Sequence, residues 1–150
     1  MSSNVTAWPE PVERVAAFLR AAGVEGRLEE LPAGAECPPG PAVRAEAFES
    51  ARGRLVALVS AKRTLDHERL ERVARVSGLR PAPTPSFPFD HARVYLDRSV
   101  LAERTIWLRV GSDRHVLALT PQQLAHLTRA QSAILALDDG GAAITDRSPG

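Results

Sequence analysis

Between Cys37 and Asp66 the chain reads CPPGPAVRAEAFESARGRLVALVSAKRTLD, and this run limits the possible folds more than any other part of the sequence. Cys37 to Gly40 reads as a turn. After it Val43, Ala45 and Ala47 alternate with Arg44 and Glu46, the period of two expected of a strand with one wet face, and Phe48 closes the run. Ser50 to Gly53 supplies the next turn. Leu55 to Val59 is then an unbroken apolar stretch, with the length and β-branched content of a strand buried on both faces. The expected unit is a hairpin that carries one cation, Arg44, on its polar face.

A hairpin of this kind needs a body to pack against. With 150 residues, 44% hydrophobic and 25% charged, the chain suffices for one soluble globular domain with a sizeable core. The net charge of +1 argues against a strongly basic nucleic-acid clamp, although 18 of the 19 basic residues are Arg and only Lys62 is Lys. Arg favours planar contacts to phosphate and carboxylate, and a GC-rich genome produces the same bias. The single Cys37 excludes an internal disulfide and a multi-cysteine zinc site, which fits a reducing cytoplasmic setting. No apolar stretch of about 20 residues and no secretory leader is present, so neither membrane insertion nor secretion is expected.

Along the chain, residues 1–10 read as a flexible lead, 11–137 as the folded domain and 138–150 as a disordered tail. A first helix is expected from Pro9 to Ala22, with Pro11 in its first turn, Val12, Val15, Ala16 and Leu19 on one face, and Gly23 as its cap. Arg27 to Leu31 reads as a short strand before the break at Pro32 to Gly40. Beyond the hairpin, Asp66 caps a helix that runs through Ser77 and ends at Gly78. Arg80 to His91 holds four prolines and reads as a rigid irregular loop. Strands are expected at Ala92 to Leu96 and Thr105 to Val110, with a turn at Gly111 to Asp113 leading into a strand from His115 to Leu119. Thr120, Pro121 and Gln123 open a capping-box helix to about Ala130, and Ala133 to Leu137 reads as one more short strand. Helices mixed with hairpins make the class α+β.

Few residues carry an obvious chemistry. His67, His91, His115 and His126 show no paired metal-ligand spacing and read as surface or capping histidines, so no metal and no cofactor is expected. Ser50, Ser60, Ser86 and Ser112 lack the G-x-S-x-G context of a nucleophile elbow. Trp107 reads as core.

Taken in order, VERVAAFLRAAGV, PPGPAVRAEAFE, LVALVSAKRTLD and ARVYLDRSVLAERTIWLRVGSDRHVLALTPQQLAHLT resemble the YbaK/EbsC family of aminoacyl-tRNA deacylases, relatives of the editing domain inserted in bacterial prolyl-tRNA synthetases. The resemblance covers roughly residues 11 to 130. It implies a mixed sheet curled into a partial barrel with surrounding helices. It also implies an activity: hydrolysis in trans of the ester that joins a wrong amino acid to its tRNA, with the acceptor end of aminoacyl-tRNA as partner and an aminoacyl-tRNA synthetase as a further one.

The resemblance also implies a site. Where the family reads PPGQIVKSLVF this chain reads PPGPAVRAEAF, so Arg44 occupies the position of the lysine that family members need for activity. A guanidinium keeps its proton, so Arg44 can orient a carbonyl or a phosphate but cannot shuttle a proton. It is expected in the largest cleft, between the Pro83 to His91 loop and the turn of Gly111, Ser112 and Asp113. The family's helix between the stretches matching LPAG and PPG is missing, and the segment that aligns with its glycine-rich loop is the proline-rich SGLRPAPTPSFPFDH. Prolines have no N–H to aim at a developing oxyanion, a task suited to glycine-rich backbone. Phe87 and Phe89 either stack on the terminal adenine or plug the core. Asp97 matches an Asp common in the family, in a turn or a pocket role. Two readings follow: a deacylase in which Arg44 acts electrostatically, or a non-catalytic relative that binds aminoacyl-tRNA, a synthetase or a small amino-acid-like ligand.

Overall fold

A computed structural model describes residues 8–137. The expected tail at 138–150 lies outside the described residues, as does the lead before Trp8. The hairpin forms as its pattern dictates: β2 (Val43–Ser50) pairs antiparallel with β3 (Gly53–Ser60), with Val43 opposite Ser60 and Phe48 opposite Leu55. Leu55, Val56, Ala57, Leu58 and Val59 are completely buried. β3 is therefore central, and it pairs on its other edge with β5 (Arg93–Asp97), in parallel.

Two short strands complete this sheet in the order β4-β2-β3-β5-β8. β4 (Arg80–Ala82) lies antiparallel to β2, with Pro81 opposite Phe48, and β8 (Gln131–Ala133) runs parallel to β5. β4 corrects the expectation that Arg80 to His91 is irregular throughout. Proline lacks the ladder N–H, but an edge strand has a side on which none is needed. A second sheet, ordered β1-β7-β6, is antiparallel and contains β1 (Arg27–Glu30), β6 (Ile106–Arg109) and β7 (His115–Leu119). The sheets meet where Ala42 bridges Trp107, whose N–H donates to the Pro41 carbonyl at 2.9 Å. The class is the expected α+β with mixed sheets, and the curl does not close.

The helices follow their caps. α1 (Glu10–Ala22) ends at Gly23, which has a φ of 71°. α2 (His67–Ala74) starts at Asp66, whose carboxylate accepts from the Glu68 and Arg69 amides. It stops three residues earlier than expected, because Arg75 turns left-handed. The Arg75 and Val76 amides then bond back to the Arg72 and Glu71 carbonyls in a Schellman closure, so the helix is capped before Gly78. α3 (Pro121–Thr128) has the expected capping box of Thr120 and Gln123.

The core built around Val43, Phe48, Leu55, Leu58, Val94, Leu96, Ile106, Leu108, Val116 and Leu119 is buried at every position. It is not one cluster, however. Val43, Val56, Leu58, Val94 and Leu96 face the second sheet, α1 and α3. Phe48, Leu55, Ala57, Val59 and Tyr95 face the opposite way, toward Leu70 and Ala74 of α2. A strand buried on both faces must divide its side chains between two layers, so β3 belongs to both. Val116 joins Trp107 and Leu31 in a third, small cluster.

Where the resemblance finds a helix missing, arginines hold the loop instead. Arg114 donates to the carbonyls of Leu31 at 2.7 Å and Ala35 at 2.8 Å, and to that of Pro32, while Arg109 donates to the Glu36 carbonyl.

Candidate functional site

A cleft of about 590 Å³ opens at the N-terminal end of β2, between the 84–89 loop, the first turn of α1 and the β6–β7 turn. It brings Arg44, Phe87, Phe89, Gly111, Ser112 and Asp113 together along its walls, and leaves Asp97 out. It is slightly smaller than a second cavity of about 630 Å³ beyond Phe89, so the cleft of Arg44 is not the largest.

Each of these residues has a local reason for its place. Alternation along β2 puts Arg44 with Glu46 on the face opposite Val43 and Ala45. There the guanidinium donates to the Glu46 carboxylate and to the Ser60 carbonyl, both at 2.8 Å. Arg44 thus borders the cleft with its charge already matched by a neighbour. Phe87 and Phe89 are buried, each ring edge-on to the next in the series Phe18–Phe87–Phe89, with centroids 5.8 Å apart in both pairs. They plug the core and at the same time form the apolar wall of the cleft.

The β6–β7 turn is clamped against α1. Gly111 has a φ of 75°, and a Cβ placed there would lie 2.9 Å from the Val12 nitrogen and 2.8 Å from its Cγ2. Only glycine fits that approach. Ser112 Oγ lies 2.6 Å from Nδ1 of His115 and accepts the Arg114 amide at 3.0 Å. His115 is 6% exposed, with Trp8 edge-on at 5.3 Å. Asp113 is exposed, and its carbonyl accepts from Arg109 Nε at 3.2 Å.

Asp97 works elsewhere. Its carboxylate is 2% exposed and accepts the amides of Ser99 at 3.3 Å, Leu135 at 2.7 Å and Ala136 at 3.0 Å, as well as the Ser99 hydroxyl. Burial opposes its ionisation, but the hydrogen bonds from Ser99, Leu135 and Ala136 outweigh burial and hold the carboxyl below the usual carboxylate range. These contacts are those of a turn residue that also fastens the segment after β8. That segment continues past Leu65, which bridges Ala136, and the strand expected at Ala133 to Leu137 is registered earlier, at Gln131–Ala133.

Two cleft arginines have no counterpart among the residues singled out from sequence. Arg14 pairs with Glu10 at 3.6 Å. Arg109 lines the cleft and, among the described residues, makes no ion pair; its recorded partners are the carbonyls of Glu36 and Asp113. Among the described residues it is the cleft cation whose charge no carboxylate matches. Its signal was an exposed Arg closing an apolar strand two residues before a turn glycine, a pattern too common to single out alone. Among the described residues no group of three or more His, Cys, Asp or Glu is placed to hold a metal ion.

No family model and no curated protein matches the chain by sequence. Solved structures do. A provisionally assigned trans-editing enzyme for prolyl tRNA synthetase superposes with a TM-score of 0.76 at 25% identity, over 87% of this chain and 99% of that one. The fold is that of the YbaK-like editing domains. A protein from work on computational grafting of linear epitopes onto scaffolds reaches the same TM-score at 24% identity over the same shares of both chains. A hypothetical protein follows with a TM-score of 0.72 at 15% identity, over 83% of this chain and 99% of that one. Relative to the YbaK-like pattern, the arginine-held loop at 31–36 stands where the resemblance places a helix. Proline-containing β4 and the loop after it stand where it places glycines.

Proposed function

We propose that this protein is an aminoacyl-tRNA deacylase that acts in trans and in the cytoplasm, hydrolysing the ester of a mischarged tRNA whose acceptor end enters the cleft at the start of β2. The observation that carries this reading is the cleft itself. In a fold shared with a trans-editing enzyme, it joins an apolar wall of Phe87 and Phe89 to a cationic rim of Arg14, Arg44 and Arg109 and to the Gly111–Asp113 turn. An aminoacyl ester on the terminal ribose of a polynucleotide needs those three features: a surface for the side chain, positive charge for phosphate, and polar groups near the carbonyl. Among the described residues no helix is long and apolar enough to cross a membrane. Arg44, oriented by Glu46 and Ser60, serves electrostatically.

The test is turnover of a panel of mischarged tRNAs by the purified protein, with release of the free amino acid as the readout. Arg44→Ala should cost on the order of 2 to 4 kcal/mol of transition-state stabilisation, and Arg44→Lys should retain activity. A second reading, a binding module without turnover, draws on the pairing of Arg44 with Glu46 and on a loop whose prolines offer no amides. Absence of turnover together with measurable binding of charged tRNA would favour it.

A further inference from the structure

Ester hydrolysis needs a group that takes a proton from the attacking oxygen and returns one to the leaving oxygen, and Arg44 cannot do this because it does not deprotonate. Among the cleft-lining residues, Ser112 is the one whose hydroxyl touches an imidazole, at 2.6 Å. His115 itself is buried and is not among the lining residues, so whatever it does to a ligand passes through Ser112. The separation is shorter than the usual 2.9 to 3.0 Å of an N–H donor to oxygen and suits a hydroxyl donating to the ring nitrogen. The Arg114 amide occupies one further position on Oγ, which fixes the direction of its remaining lone pair.

We propose that Ser112 and His115 form a proton relay for the deacylation proposed above. As water attacks the ester carbonyl carbon, its proton passes to Ser112 Oγ while the Ser112 proton passes to His115 Nδ1. The carbonyl π electrons move onto oxygen. Collapse then breaks the bond to the ribose oxygen, which takes the proton back along the same path. Water and ester are consumed, and a free amino acid and an uncharged tRNA end are released, with no change in the pair. Ser112 touches the reacting water, and His115 is a positioning residue that acts through it.

Glu30 is the register partner of His115 on β1 and Asp113 and Arg114 precede it in the chain, while Val110, just after β6, donates its amide to the His115 carbonyl and Trp8 packs edge-on to the ring.

The inference rests on the deacylase reading, and steady-state kinetics with nitrogen NMR separate the two. Ser112→Ala should lower kcat about 100-fold with KM within about threefold. Ser112→Thr, which keeps a hydroxyl, should recover at least a tenth of the activity. In the folded wild type the imidazole nitrogens should report a bare Nδ1 that accepts a hydrogen bond. No turnover by the wild type would overturn the deacylase reading and the relay with it. Full turnover by Ser112→Ala, or a protonated Nδ1 in the neutral ring, would overturn the relay alone. Should Ser112→Ala fail to fold, His115→Asn and the NMR assignment of the wild type still decide.

Discussion

Arg44 and Arg109 border the same cleft, but among the described residues only Arg44 has a carboxylate beside it, at 2.8 Å from Glu46. A phosphate arriving at Arg44 must compete with Glu46, whereas at Arg109 it displaces carbonyl contacts, so the electrostatic part of the proposed tRNA binding should fall mainly on Arg109. Neutralising one phosphate contributes about 0.7 to 0.9 to the slope of log affinity against log salt. Arg109→Ala should therefore weaken tRNA binding and flatten that slope by about one contact, with a smaller change for Arg44→Ala, as measured by filter binding over a salt series. Asp97 makes a different prediction at the same scale. Its removal strands the amides of Leu135 and Ala136, so Asp97→Ala should cost about 2 to 4 kcal/mol of stability. Because its folded-state pKa is depressed, the carboxylate's contribution is complete above the unfolded value of about 3.9 and is lost as pH falls through the folded one. In urea melts the gap between wild type and Asp97→Ala should be widest near neutral pH and close below about pH 4.

At the scale of elements, the turn between β6 and β7 is held by a backbone approach that no side chain can share. Gly111→Ala should cost on the order of 1 to 3 kcal/mol and shift the amide resonances of Pro11's neighbours in α1 together with those of Ser112, since a Cβ would press on the Val12 backbone. Elements of this kind were legible from residue pattern wherever the signal was local: the alternation of Val43 to Phe48, the buried run Leu55 to Val59, the Asp66 cap, the Thr120–Gln123 box. What was not legible depends on partners distant in sequence. β4 and β8 have three residues each, too few to show a period, and exist because β2 and β5 offer free edges. The parallel pairing of β3 with β5 leaves no mark on either strand beyond burial. In the cleft, the alternation at Arg44 was readable, but the nearness of His115 to Ser112 and the unmatched charge of Arg109 arise from a turn whose geometry is set by its packing on α1. Asp97 could be matched to a family position, yet only the return of the chain at Leu135 reveals what its carboxylate holds.

At the scale of the whole molecule, the question is whether the two layers on either side of β3 unfold together. Leu58 points into the layer with the second sheet, α1 and α3, and Leu70 into the layer under α2, and both are fully buried. β3 supplies side chains to both, so loss of either layer exposes one face of its wholly apolar run Leu55 to Val59. That coupling predicts one cooperative unit over residues 11–137. Leu58→Ala and Leu70→Ala should each cost about 2 to 5 kcal/mol, the range for deleting a buried leucine side chain, and each should move the entire transition rather than split it. Trp107, in the small cluster of the second sheet, gives a local fluorescence probe, and far-ultraviolet dichroism a global one. In the Leu70→Ala protein the two probes should still trace the same curve, although the mutation lies on the opposite side of β3 from the Trp107 sheet. A dichroism transition that precedes the Trp107 transition in that variant would mean that the α2 layer melts on its own, and that β3 stacks two layers without making them one cooperative unit.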